Sequence, residues 1–330
     1  MDIRCDLPVA SGARRFTRFN DCGKIRRSDG SNREYWLVIG EYAIGIVELS
    51  VAIKRKEAFM CRWLAYMGPP IRLGDLLVRP NHSLIDQSLR ATQNVETTNG
   101  DGFGVGWYGT DETPCVYRDT HPAWNDENYR NLSAHIRSSL FLSHVRAATG
   151  TPVQKTNCHP FRFENWLFQH NGFIPEFHQL KRRLMFDVDS KLFNSIAGST
   201  DSEILFYLAI TFGLKEDPYR ALARTMGHVE KVRKAEGIGE PIQFSACVTD
   251  GSRLWSVRYS SNQQSRTQYH SQHIEAFCNI HGTYEPLPEG AVIVLSEPLD
   301  QLSKHWEKVP ESSFVLVEDG KTTVSAFSPI

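Results

Sequence analysis

The pair Asp250-Gly251 stands between two short apolar runs, Ala246-Cys247-Val248 and Leu254-Trp255-Ser256-Val257. An Asp-Gly pair tolerates the positive backbone angles that reverse a chain within two residues, so it predicts an antiparallel hairpin. That hairpin excludes a sheet built only from parallel strands and crossover helices. Further apolar runs at 140–145, 166–169, 244–248, 291–295 and 314–317 read as buried strands. Segments 84–91, 175–184, 202–212 and 219–235 read as helices, the third with Thr200 or Asp201 as N-cap and acidic residues in its first turn. Strands in hairpins and helices in pairs predict an α+β fold of stacked α and β layers.

The chain has 330 residues and a hydrophobic content of 41%, enough to bury a large core. With 37 basic and 38 acidic residues and no long basic run, it shows no nucleic-acid footprint. Its seven cysteines are odd in number, scattered and without C-x-x-C spacing. They read as reduced thiols in a cytoplasmic protein. Residues 1–60 differ from 61–330. The stretch 11–34 is polar and shows neither helical nor strand period, so it reads as unstructured. The apolar stretch 36–53 is broken by Glu41 and Glu48 and followed by Lys54-Arg55-Lys56, which fits neither a secretory signal nor a membrane span. Residues 1–60 are therefore expected to be an appendage, a propeptide or a misassigned start, with the functional domain at 61–330.

The chemistry centres on Met60-Cys61, at the head of Met60-Cys61-Arg62-Trp63-Leu64-Ala65-Tyr66-Met67-Gly68. If Met60 is removed, Cys61 owns a thiol and a free α-amine of ordinary pKa about 7.7–8.0, a nucleophile and a base in one residue. With Met60 attached, that base is an amide. The competing reading is a buried cysteine in an amphipathic segment. Against it stand three further motifs, each supplying a group that hydrolysis of a glutamine-like amide needs.

These are His144-Val145-Arg146-Ala147-Ala148-Thr149-Gly150, His170-Asn171-Gly172-Phe173-Ile174 and Gly198-Ser199-Thr200-Asp201-Ser202-Glu203. Asn171-Gly172 is expected to end the 166–169 strand in a sharp turn, with the Asn171 amide and the Gly172 N–H converging on an oxyanion. An ordinary turn is the alternative. Arg146, at the end of an apolar strand, is expected to face a cleft or a carboxylate, clamping a substrate's α-carboxylate or forming a structural ion pair. Asp201 either binds the α-ammonium of the same glutamyl group or caps its helix, and one residue can do both.

Together with Asn157-Cys158-His159-Pro160-Phe161, these motifs occur in an order that resembles the class II glutamine amidotransferases. The resemblance is strongest to the stand-alone branch containing bacterial amidohydrolases of the ergothioneine pathway and fungal glutathione-degrading subunits. It implies an N-terminal-nucleophile hydrolase fold, a four-layer αββα sandwich. It also implies Cys61 as nucleophile, Asn171 with Gly172 as oxyanion hole, and Arg146, Asp201 and Thr149 as binders of the γ-glutamyl head group. No cofactor is implied. The substrate is then a small γ-glutamyl compound, and residues 61–330 leave no room for a second catalytic domain. The chain is either a free-standing hydrolase or the glutaminase subunit of a two-protein enzyme delivering ammonia to a separate synthase. A catalytically silent binding subunit is the reading from another class, if Cys61 stays blocked.

Other signals are weaker. The glycines of Gly100-Asp101-Gly102-Phe103-Gly104-Val105-Gly106 fall on every second position, which suits a close approach of loop and strand to the site and not a nucleotide loop. Adjacent Cys158-His159 lack metal-ligand spacing, and His159 reads as structural. Lys231, Arg233 and Lys234 at the end of the 219–235 segment read as a solvated face complementing the helix dipole.

Overall fold

A strand places successive side chains on opposite faces, and this period organises the molecule into layers. The computed structural model describes residues 24–28, 34–38, 61–92, 98–148, 150–272, 277–278, 282 and 284–330. The chain divides into two units, Met1–Arg55 and Lys56–Ile330. In the first, β1 (Lys24–Ser28) and β2 (Glu34–Val38) pair antiparallel, with Lys24 opposite Val38. Residues 24–28 and Glu34 thus lie in strands where the sequence showed no period, and the rest of the 11–34 stretch read as unstructured lies outside the described residues.

The second unit begins with β3 (Arg62–Arg72), α1 (Gly74–Leu77), α2 (Leu84–Arg90), β4 (Phe103–Trp107), β5 (Cys115–Asp119), α3 (Glu127–His135) and β6 (Arg137–Val145). It continues through β7 (Phe161–Phe163), β8 (Trp166–Phe173), α4 (Phe177–Phe186), α5 (Asp201–Thr211) and α6 (Pro218–Ala235). After these come β9 (Gln243–Thr249), β10 (Leu254–Ser260), β11 (Tyr269–Ser271), β12 (Phe277–Cys278), β13 (Tyr284–Glu285), β14 (Val292–Leu295), β15 (Trp306–Lys308), β16 (Ser313–Glu318) and β17 (Lys321–Ala326).

Two antiparallel sheets result. One has seven strands in the order β15-β11-β14-β3-β6-β4-β5, the other six in the order β17-β16-β10-β9-β8-β7. The hairpin read from Asp250-Gly251 is β9–β10, with Thr249 opposite Leu254 and Gly251 at φ +95°. Odd and even residues then separate three cores. Trp63 and Ala65 of β3, Leu140 and Leu142 of β6, Leu167 of β8 and Val315 of β16 are buried between the sheets. Leu64, Tyr66, Phe141 and Val145 face the opposite way, against Leu76, Leu84 and Tyr129 from α1, α2 and α3. Phe168, Phe244 and Val257 of the six-stranded sheet pack under α4, α5 and α6 through Leu180, Phe206 and Met226. The layers run α, β, β, α, as the resemblance implied.

Local chemistry sets the ends of the helices. Thr200 Oγ1 accepts from Glu203 N (3.2 Å) and the Glu203 carboxylate reaches back to Ala197 N and Gly198 N, so Thr200 and not Asp201 is the N-cap of α5. Asp217 caps α6, with Pro218 next in its first turn. One reading is corrected at the other end of α6. Arg233 is buried, pairs with Glu230 at 2.7 Å and donates to the carbonyls of Ile238 and Glu240, so it is a structural clamp and not part of a solvated face.

A second correction concerns β8. Asn171-Gly172 does not turn the chain: the strand continues to Phe173, with Asn171 opposite Ser245 and Gly172 opposite Phe244. Glycine is needed there for space, because a Cβ on Gly172 would lie 2.0 Å from Gln243 O and 2.4 Å from His170 Nε2. The alternating glycines behave similarly. A Cβ on Gly104 would lie 2.3 Å from His159 O, and one on Gly106 would meet Pro160 Cγ at 2.8 Å and Leu167 Cδ1 at 2.9 Å. One face of β4 is thus kept bare so that the segment before β7 can lie against it. Gly104→Ala is expected to cost about 1–3 kcal/mol, read as a lowered urea midpoint; an unchanged midpoint would refute this account of the glycine pattern.

Candidate active site

Cys61 immediately precedes β3, whose register sets Arg62 opposite Val145 and Trp63 opposite His144 on β6. The thiol therefore falls beside the residues that follow β6. Ala147 N–H donates to Cys61 Sγ at 3.4 Å, and Sγ lies 3.6 Å from Ala147 O. Among the described residues these backbone groups are the hydrogen-bond partners of Sγ, and neither takes up a proton. Burial pushes the thiol pKa up, a rise only partly offset by the Ala147 contact and the positive charges of Arg146, Arg62 and Arg266. The thiol is therefore protonated at neutral pH and needs a base to become a nucleophile.

Arg146 extends the pairing of β6 with β4: its N–H donates to Gly102 O at 2.8 Å, and its carbonyl accepts from Asp101 N at 3.0 Å. Its guanidinium is buried, donating to Asp101 O (3.2 Å) and Thr151 Oγ1 (2.5 Å). No carboxylate among the described residues lies within ion-pair distance of it, so the structural-partner reading of Arg146 finds no carboxylate here. Asp101, which the sequence reading did not single out, also accepts from Ala148 N at 2.8 Å and so shapes the segment facing the thiol. Its placement between Gly100 and Gly102 was the available signal.

The six-stranded sheet supplies the opposing wall. Strand parity turns Leu167, Gln169 and Asn171 toward the other sheet, where Gln169 Nε2 donates to Leu64 O (3.2 Å) and Asn171 Nδ2 to Cys61 O (2.8 Å). Asn171 is thereby brought directly to the cysteine, with Gly172 next to it on the strand. Asp201 makes its contacts at the end of β8. Its carboxylate accepts from Ile174 N at 2.8 Å and Ser202 N at 2.7 Å, tying the end of β8 to the start of α5. Thr149 lies outside the described residues.

Behind the cysteine is a network without a local sequence signal. Arg62 Nη1 donates to Cys61 O at 3.0 Å and Nε to Glu297 Oε2 at 2.6 Å. Burial opposes the Glu297 charge, but His82, Arg62 and the Thr92 N–H and hydroxyl hold its pKa down at about 2. Among the described residues, no three His, Cys, Asp or Glu side chains group to hold a metal, and no helix is long and apolar enough to cross a membrane.

Three buried histidines lie on and beside the two facing strands. His144 Nε2 contacts His170 O (3.2 Å), the His144 and His159 rings are 4.2 Å apart, and His170 Nδ1 pairs with Ser202 Oγ (2.9 Å). Burial lowers all three pKa values, that of His144 to about 3 from an ordinary 6.5. The unfolded chain takes up these protons near pH 6.5, and the folded protein at lower pH, about 3 for His144. Their contribution to stability is thus complete above 6.5 and is lost as pH falls below it, for His144 down to about 3, by at most about 1.4 kcal/mol per pH unit for each ring. Urea midpoints should fall between pH 7.5 and 5, above the range where carboxylates titrate; a flat profile there would contradict the buried, neutral assignment.

The family model for class-II glutamine amidotransferases matches residues 80–330. "Probable glutamine amidotransferase DUG3" of Saccharomyces cerevisiae is 34% identical over 292 residues, covering 78% of this chain and 82% of that protein. The γ-glutamyl-hercynylcysteine sulfoxide hydrolase of Mycolicibacterium smegmatis is 26% identical over 268 residues, covering 81% and 99%. Among solved structures, a glutamine aminotransferase class-II domain protein from Silicibacter pomeroyi superimposes with a TM-score of 0.62 at 30% identity, covering 82% of this chain and all of that one. Glutamine phosphoribosylpyrophosphate amidotransferase from Bacillus subtilis, at 14% identity and a TM-score of 0.55, shares the fold. The chain belongs to the class-II glutamine amidotransferases.

Proposed function

We propose that this enzyme hydrolyses the γ-glutamyl amide bond of a small molecule through a thioester on Cys61, with water as acceptor. The observation that supports the reading is the surroundings of the thiol: a half-buried Sγ held by Ala147 backbone, with a raised pKa and, among the described residues, no side-chain base bonded to it. The base is then Cys61's own α-amine, freed when residues 1–60 are removed. In this reading the amine takes the thiol proton, and sulfur attacks the side-chain carbonyl carbon of the glutamyl group. The tetrahedral intermediate collapses as the α-ammonium returns the proton to the departing amine. Water then cleaves the thioester, releasing glutamate and restoring the thiol.

The remaining residues take the following roles in this reading. Arg146, buried without a carboxylate partner among the described residues, receives the substrate α-carboxylate, and Asp201 and Thr149 complete the head-group site. Asn171 spends one amide hydrogen on Cys61 O and has a second for the oxyanion, with the Gly172 N–H as the other donor. Two relatives bear names that share a γ-glutamyl bond, one a glutamine amidotransferase and one a γ-glutamyl-hercynylcysteine sulfoxide hydrolase. The described thiols Cys61, Cys115, Cys158 and Cys247 are free, which fits a reducing cytoplasmic setting.

Intact-mass analysis of protein made from the native gene should show a chain beginning at Cys61, and that form should release glutamate from γ-glutamyl substrates. Protein that begins at Met1 and turns over substrate would overturn the amine-base mechanism. Cys61→Ala should abolish turnover in a folded protein, and Asn171→Ala should lower kcat by roughly 100-fold to 1000-fold. Ammonia passed to a co-purifying synthase, with negligible free glutamate release otherwise, would move the assignment to a glutaminase subunit.

A further inference from the structure

We infer that Arg62 and Glu297 are positioning residues for the nucleophile, acting through the carbonyl of Cys61. That carbonyl accepts two hydrogen bonds from opposite sides of the site: Arg62 Nη1 at 3.0 Å and Asn171 Nδ2, from the facing sheet, at 2.8 Å. Two donors in different directions fix the peptide plane after Cys61, and with it the Cα from which the thiol projects. The backbone torsion about Cα–C and the side-chain torsion remain, and the contact of Sγ with Ala147 N–H restricts both.

Arg62 can act this way because its own position is fixed. Nε donates to Glu297 Oε2 at 2.6 Å, and both side chains are almost wholly buried. The other Glu297 oxygen accepts from Thr92 N (2.8 Å) and Thr92 Oγ1 (2.7 Å) and pairs with His82 Nε2 (2.6 Å). His82 Nδ1 in turn meets Asp86 Oδ2 at 3.1 Å, and Gln87 Nε2 holds the Glu297 carbonyl at 3.1 Å. A carboxylate with that many donors cannot shift without breaking several bonds at once. A guanidinium paired to it through Nε keeps Nη1 aimed at one point. All these bonds lie on the C-terminal side of the Met60–Cys61 peptide, so they persist when residues 1–60 are removed.

A purely structural ion pair would make a different prediction. A buried pair replaced by apolar side chains of similar volume commonly leaves stability unchanged or raised. The double variant Arg62→Met/Glu297→Met therefore separates packing from positioning, and Glu297→Gln supplies a near-isosteric companion should the double variant fail to fold. In the full chain, alkylation of Cys61 by iodoacetamide, followed by peptide mapping, should be about 10-fold faster in either folded variant, because the thiol leaves its buried contact. In the chain beginning at Cys61, kcat should fall roughly 100-fold with KM within about twofold, since the head-group contacts are untouched. A folded variant with wild-type alkylation at Cys61, or with faster alkylation and an unchanged kcat, would overturn the inference. The kcat arm rests on the proposed hydrolysis and the alkylation arm does not. A wild-type protein without turnover would therefore defeat that function, leaving alkylation to decide the positioning role.

Discussion

Everything at the site depends on two side-chain amides that cross between the sheets. Gln169 and Asn171 sit two residues apart on β8, so strand geometry sends both into the space that leucine, valine and tryptophan side chains fill elsewhere. Each finds a backbone carbonyl on the opposite layer, Leu64 O and Cys61 O, which offsets the cost of burying an amide in an apolar interface. Packing alone leaves two sheets free to slide by fractions of a residue. Directional bonds remove that freedom, and they do so at the end of the sandwich where the thiol lies.

The electrostatics at that end follow from the same burial. The thiol, three histidines and two arginines share a region with little water, and neutral forms win wherever no partner is supplied. The histidines stay uncharged and serve as flat packing and bonding elements. Arg62 keeps its charge beside Glu297, and Arg146 lies among carbonyl and hydroxyl acceptors without a counter-charge among the described residues. A positive charge held in this way favours an anionic group arriving from solution, which is the electrostatic case for a substrate carboxylate.

Local patterns were legible in the sequence, and long-range ones were not. The β9–β10 hairpin and helices α2, α4, α5 and α6 were readable because their signals lie within a few residues: a turn pair, an N-cap, an apolar face. Strand β3 was hidden by Gly68-Pro69-Pro70, where its pairing with β6 slips between Met67 and Ile71; prolines inside a run argue against a strand unless a bulge absorbs them. Strand β4, read as part of a loop and strand in close approach, carries glycines that serve clearance and not strand propensity, so its bounds had no signal. Asn171-Gly172 has the composition of a turn, and only the approach of Gln243 O explains a glycine inside a continuous strand. Cys61, Arg146 and Asn171 were recognisable from their motifs and are brought together by the fold. Glu297 was not, since its partner Arg62 is 235 residues away and nothing near it in sequence marks the pairing.

That separation bears on when the site comes into existence. Strand β3 lies between β6 and β14, with Leu64 opposite Leu295 and Trp63 bonded on through Ser296. While the chain is being synthesised, one edge of β3 therefore waits for residues more than two hundred positions downstream. The cysteine, the arginine that follows it and the strand that carries them emerge first, and their second neighbour and their anchoring carboxylate follow more than two hundred residues later. A nascent chain thus exposes the thiol of Cys61 long before it can hold it in place.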